Sequence, residues 1–476
     1  MCTPSRRLLS RTLKLASSAG ATAAVLAVAG TAWTGEAQKN DEMFTLDRTV
    51  TITGPKSGNP LVSFDISWFD SGLNRYYLGD RSNKSVDVIT PPSSVDQFQP
   101  GFVGARSTCV DNSTKPPTNT GILCSAASPC SGAQVCTGNN DVSGPDGVLT
   151  LDNKGVKQLW VGDGDSRLWV LDAKTGVALL PNPISTSNGP TIIIPNNHKR
   201  ADEICFDAAD KLVMAANNAD DPPFASIIST ETYKVVAQIP FDGTNNAPKS
   251  NNGAEQCAWS PRTGLFYISI PGIDGHPDGE GGVAVIDPKT MKVKETFIIP
   301  VDDCAAPQGM AVGPGKQILL GCNAPSPNGH SNTVIINENT GAIIGKLPDQ
   351  GGNDEVWFNP GDGHYFGAGG QNLPTERLNI IDSAGKKPDQ FVATGTNCNT
   401  ARRAHSVAAD PATNEVYLPI PPDTGTPVQV CTTSTPFFES DLCSNPAMGC
   451  VAVFKPVGKN DHPRTVRERE NDDRQE

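Results

Sequence analysis

Seven polar residues recur at equivalent places along the chain, and their side chains could bind a cation or transfer protons. Each stands at the head of an apolar segment, followed by a turn and a second apolar segment. Carboxyl groups that lie at one level raise one another's pKa unless a positive charge lies among them. The pattern therefore predicts a divalent cation bound by a subset of six oxygen-bearing residues, with a histidine completing the ring. The residues are Asp65, Asp146, Asp202, Glu255, Gln308 and Asp354, followed by His405.

The ligand types predict which cation binds. Hard oxygen ligands select Ca²⁺, which accepts about six to eight oxygens with loose geometry. A histidine with fewer oxygens would move the preference towards Mn, Fe or Zn. Three interpretations stay open: a hydrated polar mouth without an ion, a structural ion, and a catalytic or ligand-binding metal.

If the metal is catalytic, we expect the protein to be a hydrolase of lactone or ester type. The ion would polarise a carbonyl group or acidify a water molecule. Asp146 would then act as the base, and His405 as an acid or base near neutral pH. Arg402 and Arg403 would clamp a substrate carboxylate, or form a solvated loop pair. The alternative is a non-catalytic protein that binds a small ligand or another protein around a structural ion.

The register of these residues has one alternative. Glu203 follows Asp202, and Glu355 follows Asp354. Since successive residues of a strand point to opposite faces, a slip of one residue would put Glu203 and Glu355 in the ring instead.

A repeated β architecture is needed to bring these residues together. The repeat is a polar head, an apolar strand, a turn, a second strand and a third strand, as in "DEICFDAADKLVMAAN" from Asp202. The first two heads are 81 residues apart, and later intervals run from 46 to 56 residues. A four-stranded propeller blade has roughly 40–50 residues. The pattern predicts an all-β, seven-bladed β-propeller over residues 45–456; a two-domain sandwich explains the recurrence less well.

The propeller places the heads and closes the ring. The first strand of each blade lines the central channel, so the seven heads meet around one axis. The segment "TVTITG" at 49–54 is predicted to complete the blade made by "GCVAVFKP" at 449–456. Five tryptophans fall in strands and are predicted to pack between blades. They are Trp68, Trp160, Trp169, Trp259 and Trp357.

The two chain ends predict export and a solvated tail. Residues 1–37 combine a basic region that contains Arg6 and Arg7 with a short apolar core, which is typical of an export signal of twin-arginine or ordinary secretory type. Residues 457–476 form a charged segment predicted to be disordered. The net charge of −13 argues against nucleic acid and anionic lipid as partners. We expect a periplasmic or secreted monomer that binds a small molecule in its channel.

The cysteines predict disulfides in that setting. Removal of the signal leaves 12 of the 13 cysteines, an even number in an exported chain. Cys304 and Cys322 flank one hairpin and are predicted to pair. A zinc site is less favoured, because the chain has no CxxC pair. Two cysteine-rich segments are predicted to be stapled insertions. They carry Cys109, Cys124, Cys130 and Cys136 within 99–142, and Cys431, Cys443 and Cys450 near the end.

Several segments resemble known propellers. "GLFYISI", "GGVAVIDPKTMKV" and "HSVAADPATNEVYLPI" resemble the seven-bladed YVTN-type repeat propellers of exported bacterial proteins, a resemblance of architecture over residues 45–456. "GPDGVLTL" and "APQGMAVG" resemble inner-strand motifs of calcium-dependent gluconolactonase-like propellers. In that family the polar residue before the glycine faces an axial metal, which implies the same role for Asp146 and Gln308.

Overall fold

The computed structural model describes residues 43–52, 58–187, 199–369, 377–393, 404–422 and 442–457. They all belong to one unit, Lys39–Glu476. The predicted export signal, the tail from residue 458, Cys431 and the pair Arg402 and Arg403 lie outside the described residues. No helix among the described residues has the length and apolar character needed to span a bilayer.

The described residues form 31 β-strands and one short 3-10 helix at Asn140–Val142. The first eleven strands are β1 (Met43–Val50), β2 (Phe64–Asp70), β3 (Arg75–Asp80), β4 (Ser85–Thr90), β5 (Ser94–Phe98), β6 (Ser107–Asp111), β7 (Thr118–Cys124), β8 (Val135–Gly138), β9 (Val148–Asn153), β10 (Val156–Asp163) and β11 (Arg167–Asp172). The next ten are β12 (Ile184–Ser185), β13 (Ile204–Asp207), β14 (Leu212–Asn217), β15 (Phe224–Ser229), β16 (Lys234–Pro240), β17 (Cys257–Ser260), β18 (Leu265–Ile270), β19 (Gly281–Asp287), β20 (Lys292–Ile299) and β21 (Ala305–Val312). The last ten are β22 (Gln317–Ala324), β23 (Thr333–Asn337), β24 (Ile343–Leu347), β25 (Asn353–Asn359), β26 (His364–Gly369), β27 (Arg377–Asp382), β28 (Lys387–Ala393), β29 (Ala408–Ala409), β30 (Val416–Ile420) and β31 (Cys450–Val457).

The strands pair into seven four-stranded antiparallel sheets and one three-stranded sheet. Each of the seven repeats predicted from the sequence corresponds to one four-stranded sheet, so the prediction of an all-β propeller is confirmed. We number these sheets from 1 to 7 along the chain. They are β2–β5, β9–β12, β13–β16, β17–β20, β21–β24, β25–β28, and lastly β29, β30 and β31 with β1.

The first strand of every sheet faces a common centre. The strands β2, β9, β13, β17, β21, β25 and β29 each contact the next one, and β29 contacts β2 again. The second strands are buried on both faces, as in β14 and β22, because each sheet packs between two others. Outer strands such as β20 and β24 alternate buried and exposed residues, because only one of their faces reaches the core.

Seven apolar clusters fill the spaces between consecutive sheets, and the last joins sheet 7 to sheet 1. The cluster between sheets 3 and 4, for example, contains Met214, Ile227, Phe266 and Ile286, all fully buried. Burial of an aliphatic or aromatic side chain of this size contributes roughly 1.5–3 kcal/mol. The core is therefore a ring of seven interfaces with the channel at its centre.

The predicted closure of the ring by the N-terminal strand is confirmed, with different bounds. β1 spans Met43–Val50 and pairs antiparallel with β31, whereas the sequence predicted 49–54. Arg48 in β1 also donates two hydrogen bonds to the carboxylate of Glu415, at 2.7 and 2.8 Å. The two chain ends thus build one sheet together.

The cysteine-rich insertion forms the three-stranded sheet of β7, β6 and β8. Two disulfides staple it, Cys109–Cys130 and Cys124–Cys136, and the predicted pair Cys304–Cys322 is present. The described residues also contain Cys205–Cys257 and Cys443–Cys450. Such bonds are typical of proteins that fold in an oxidising compartment. The sulfur atoms of Cys109, Cys124 and Cys130 lie close enough for a metal, but the disulfides already use them.

Candidate functional site: the axial channel

The seven predicted heads all lie within the first strand of their sheets or up to three residues before it. Asp146, Asp202 and Glu255 lie two residues before β9, β13 and β17, and each donates its backbone amide to a residue near the end of the second strand. Asp65 and Asp354 lie where the pairing of β2 and β25 shifts register. Two residues are unpaired at such a shift, which frees both side chains to turn towards the channel.

Two glycines bring neighbouring heads close together. A Cβ atom on Gly147 would overlap the backbone carbonyl of Asp202, and one on Gly79 would press against the carbonyl of Asp146. Only glycine permits this approach of one strand to the next. Asp146 therefore lies close to the strands that carry Asp65 and Asp202.

Arg81 lies at the centre of this part of the ring. It follows β3 in the turn to β4, and its side chain is 1% exposed. Its guanidinium donates to Oδ1 of Asp146 from Nε at 2.7 Å, and it also donates to Oδ2 of Asp65. One buried arginine thus joins the carboxylates of sheets 1 and 2.

Arg200 extends the same network to sheet 3. Its Nη2 lies 2.7 Å from Oδ2 of Asp202, and its Nη1 lies 3.5 Å from Oδ2 of Asp65. Asp65 and Asp202 also hydrogen-bond to each other. We call Asp65, Asp146, Asp202, Arg81 and Arg200 the mouth network.

The charges of the mouth network set different protonation states for its acids. Although burial favours the protonated form, Arg81 and Arg200 lower the pKa of Asp65 to about 2. Burial instead raises the pKa of Asp146 and of Asp202 well above the usual range, and their arginine partners oppose this only partly. Three carboxyl groups thus share two guanidinium groups in a site from which water is largely excluded.

His405 lies beside this network with both ring nitrogens occupied. Nε2 lies 2.9 Å from the carbonyl oxygen of Phe64, and Nδ1 lies 3.3 Å from Oδ2 of Asp354. Although burial lowers the pKa of His405, the hydrogen bond to Asp354 and the charge of Asp65 raise it above its ordinary value. The geometry favours an imidazolium that donates to two acceptors.

Glu255 and Gln308 lie apart from the close group of acids. Glu255 accepts a 3.4 Å hydrogen bond from Asn218, and Gln308 accepts one from Asn323. Burial and the charge of Asp354 raise the pKa of Glu255 to about 7. Among the described residues, three of the predicted metal ligands, Asp65, Asp146 and Asp202, have ligand atoms that all lie within 4.8 Å of one another. No other three of the predicted ligands in the described part of the chain form such a group.

The residues that follow the heads form a second level of the channel. The side chains of Glu203 and Glu355 hydrogen-bond to each other across the axis. Gln256 accepts hydrogen bonds from the backbone amides of Met310 and Val356, which joins sheets 4, 5 and 6. Both sets of residues considered from the sequence therefore face the channel: the heads at the first level, and Glu203 and Glu355 at the second.

An aromatic cavity of about 340 Å³ continues beyond this second level, towards the ends of the first strands. Trp68, Trp259 and Trp357 line it, together with Phe206 and Phe358. These side chains are half-buried, and they also pack against the clusters between sheets. Trp160, by contrast, is fully buried between sheets 2 and 3. The prediction that the tryptophans pack between blades is therefore confirmed, and three of them also line the cavity.

The donor chemistry of the mouth fits a hard divalent cation. Carboxylate oxygens within 4.8 Å of one another can surround a Ca²⁺ ion, whose bonds to oxygen measure roughly 2.4 Å. Arg81 and Arg200 bind one oxygen of each acid, and Oδ2 of Asp146 is buried without a hydrogen-bond partner. A buried carboxylate oxygen without a donor is unfavourable unless a cation or a proton satisfies it.

Sequence reasoning missed Arg81 and Arg200. Arg200 stands two residues before its head, Asp202, and Arg403 stands two residues before His405. That repeated offset could have revealed Arg200. Arg81 lies in the turn between the second and third strands of sheet 1. The repeat pattern does not single out that position.

Comparisons with known proteins support the fold and leave the activity open. No family model matches the chain, and no curated protein matches it. A chain in a solved structure entitled "Crystal Structure of Mitotic Checkpoint Complex" is similar, with a TM-score of 0.52 and 10% identity, and the match covers 90% of this chain and 98% of that one. In total 1182 solved chains match, so the fold is shared by many proteins and does not by itself indicate an activity.

Proposed function

We propose that the protein is a ligand-binding β-propeller whose mouth network holds one divalent cation, with Ca²⁺ favoured over Mn, Fe or Zn. The observation that carries the proposal is the buried Oδ2 of Asp146, which has no hydrogen-bond partner. The carboxyl oxygens of Asp65 and Asp202 lie within 4.8 Å of the ligand atom of Asp146. Oxygen ligands of this kind favour Ca²⁺ over softer metals.

Binding has more support than hydrolysis. The predicted base, Asp146, is fully buried and accepts from Arg81. The predicted acid or base, His405, has an acceptor at each ring nitrogen. A general base must lie within hydrogen-bond reach of the proton that it abstracts, and a side chain as deeply buried as that of Asp146 is not open to a substrate. The lactone or ester hydrolase therefore stays a prediction, which a panel of lactones and esters would test.

The disulfides support action outside the cytoplasm. Five lie among the described residues, and reducing compartments disfavour such bonds. The periplasmic or secreted location predicted from residues 1–37 agrees with them.

Metal analysis of the purified protein tests the cation. We expect about one equivalent of a divalent ion in the wild type, since one cluster of three acids is available, and its loss in Asp146→Asn. Asp87→Asn is the matched control, because Asp87 is also a fully buried acid, paired with Asp80, and it lies in β4 away from the channel. A wild type without bound ion, in which added Ca²⁺ leaves the melting temperature unchanged, would contradict the proposal.

A further inference from the structure

The aromatic cavity differs from the mouth in its chemistry. Among the described residues that line it, the charged side chains are those of Glu203 and Glu355, and no lysine, arginine or histidine is present. The remaining walls are aromatic, aliphatic or neutral polar. A cavity of about 340 Å³ lies within the range of small-molecule sites.

The acidic end of the cavity consists of two buried glutamates that hydrogen-bond to each other. Glu203 is 4% exposed and Glu355 is 8% exposed. Oε2 of Glu355 is buried and receives no hydrogen bond from the backbone or from a neutral or basic side chain. Neither glutamate forms an ion pair with a basic group among the described residues.

Two of the tryptophans that line the cavity also have N–H groups without a partner. The indole N–H groups of Trp259 and Trp357 are buried and have no hydrogen-bond partner, whereas that of Trp68 donates to Thr150 at 2.9 Å. Trp68 and Trp357 pack edge to face, with ring centroids 5.0 Å apart. Buried indole N–H groups normally find an acceptor, which a ligand with an oxygen atom would provide.

We propose that the cavity binds a small organic ammonium ion that also carries a hydrogen-bond acceptor. The cationic group would lie against the tryptophan rings and point to Glu203 and Glu355, and the acceptor would take the indole N–H groups. Tryptophan is the aromatic side chain that attracts cations most strongly, by ~0.5–2 kcal/mol for each contact. A metal ion fits this cavity less well, because hard cations need several oxygen ligands and the walls are largely aromatic and aliphatic.

This inference is independent of the proposed cation at the mouth. The two sites use different side chains, since the mouth uses carboxyl groups beside arginines and the cavity uses carboxyl groups beside indoles. A protein that binds no divalent cation could still bind an ammonium ion, and the reverse also holds. Each proposal can therefore fail alone.

Titration of the full chain with choline, followed by calorimetry and by tryptophan fluorescence, tests the inference. We expect saturable binding with quenching or a shift of the tryptophan emission. The uncharged analogue, in which a tert-butyl group replaces the trimethylammonium group, should bind at least tenfold more weakly. Glu355→Gln keeps the shape of the side chain and should weaken choline binding by about tenfold, because a tenfold change corresponds to about 1.4 kcal/mol.

Two further variants keep the test decisive. Trp259→Phe preserves an apolar ring but removes the indole N–H and should weaken choline binding severalfold. Asp87→Asn removes an acid from a buried pair with Asp80, outside the cavity, and should bind choline as the wild type does. Equal binding of the charged and uncharged compounds would instead indicate a general apolar pocket. That result, no binding of choline, or unchanged binding by Glu355→Gln would overturn the inference.

Discussion

The two levels of the axial channel carry similar acids but neutralise them in different ways. At the mouth, Asp65, Asp146 and Asp202 surround the buried guanidinium groups of Arg81 and Arg200. At the cavity, Glu203 and Glu355 meet each other and a largely aromatic and aliphatic wall. At the mouth, arginines from the fold pair with all three acids and leave Oδ2 of Asp146 for the proposed cation, whereas the acids of the second level have no basic partner among the described residues.

Different forces also hold the two levels together. Ion pairs join sheets 1, 2 and 3 at the mouth, since Arg81 and Arg200 bridge acids from all three. At the cavity, the disulfide Cys205–Cys257 links the first strands of sheets 3 and 4, and both cysteines lie in its wall. Substitutions that remove charged groups should therefore destabilise the mouth, and reduction of the disulfide should destabilise the cavity.

Loss of Arg81 should have the largest effect. Arg81→Met leaves two carboxyl groups buried beside an apolar side chain, and removal of one partner of a buried ion pair costs about 3–5 kcal/mol. We expect a decrease of that size in the free energy of unfolding, measured by urea denaturation at neutral pH.

Lys249→Met is the control for that measurement. Lys249 pairs with Asp274 at 2.7 Å, but both side chains are more than half exposed. Exposed pairs contribute little to stability, so Lys249→Met should leave the free energy of unfolding nearly unchanged. If both variants lost the same small amount, the mouth network would not be the stabilising element that we describe.

Removal of the disulfide at the cavity should have the next largest effect. Cys205→Ala with Cys257→Ala opens a link between residues 52 positions apart and should cost about 2–4 kcal/mol of unfolding free energy. We expect choline binding to weaken more than Ca²⁺ binding, because the disulfide forms part of the cavity wall. The matched variant lacks Cys443–Cys450, whose separation is 7; it should lose less stability and keep choline binding. An equal loss of binding by both variants would argue against a local role.

Asp220 tests how this fold treats a buried acid outside the mouth network. Burial raises the pKa of Asp220 to about 7, although the backbone amide of Lys199 opposes the shift. The native state then holds a proton between about pH 4 and pH 7 that the unfolded chain has released, so the free energy of unfolding falls as pH rises through that range.

Asp220→Asn should remove this dependence. Its stability should equal that of the wild type near pH 4 and exceed it by on the order of 2 kcal/mol at pH 8. The measurement is urea denaturation as a function of pH. A variant less stable than the wild type at pH 8 would show that Asp220 is ionised and stabilising in the folded protein.

The sequence predicted the sheets and the heads for a physical reason. Each sheet needs the same local pattern of apolar strands and turns, so "HSVAADPATNEVYLPI" and its counterparts reveal both the repeat and the residue before each first strand. The closing strand was also predictable, because an unpaired last sheet needs a fourth strand. Its bounds were not, since β1 and β31 shift register between Leu46 and Arg48.

The rest of the site depends on contacts that the repeat does not encode. Arg81 lies in a turn and reaches the ring by the length of its side chain. Glu203 reaches the axis because it precedes β13, and Glu355 because it lies where β25 shifts register. At both places side chains need not alternate between the two faces of a sheet. Trp259 and Trp357 satisfy the same apolar pattern whether they pack between sheets or line the cavity.

The most direct test of two separate cation sites is a pair of titrations, with Ca²⁺ and with choline, on the wild type, Asp146→Asn and Glu355→Gln. We expect Asp146→Asn to lose Ca²⁺ binding and to retain choline binding. Glu355→Gln should do the opposite, with choline binding about tenfold weaker and Ca²⁺ binding unchanged. If either substitution weakened the binding of both ligands equally, the two levels would form one site, which would contradict two separate cation sites.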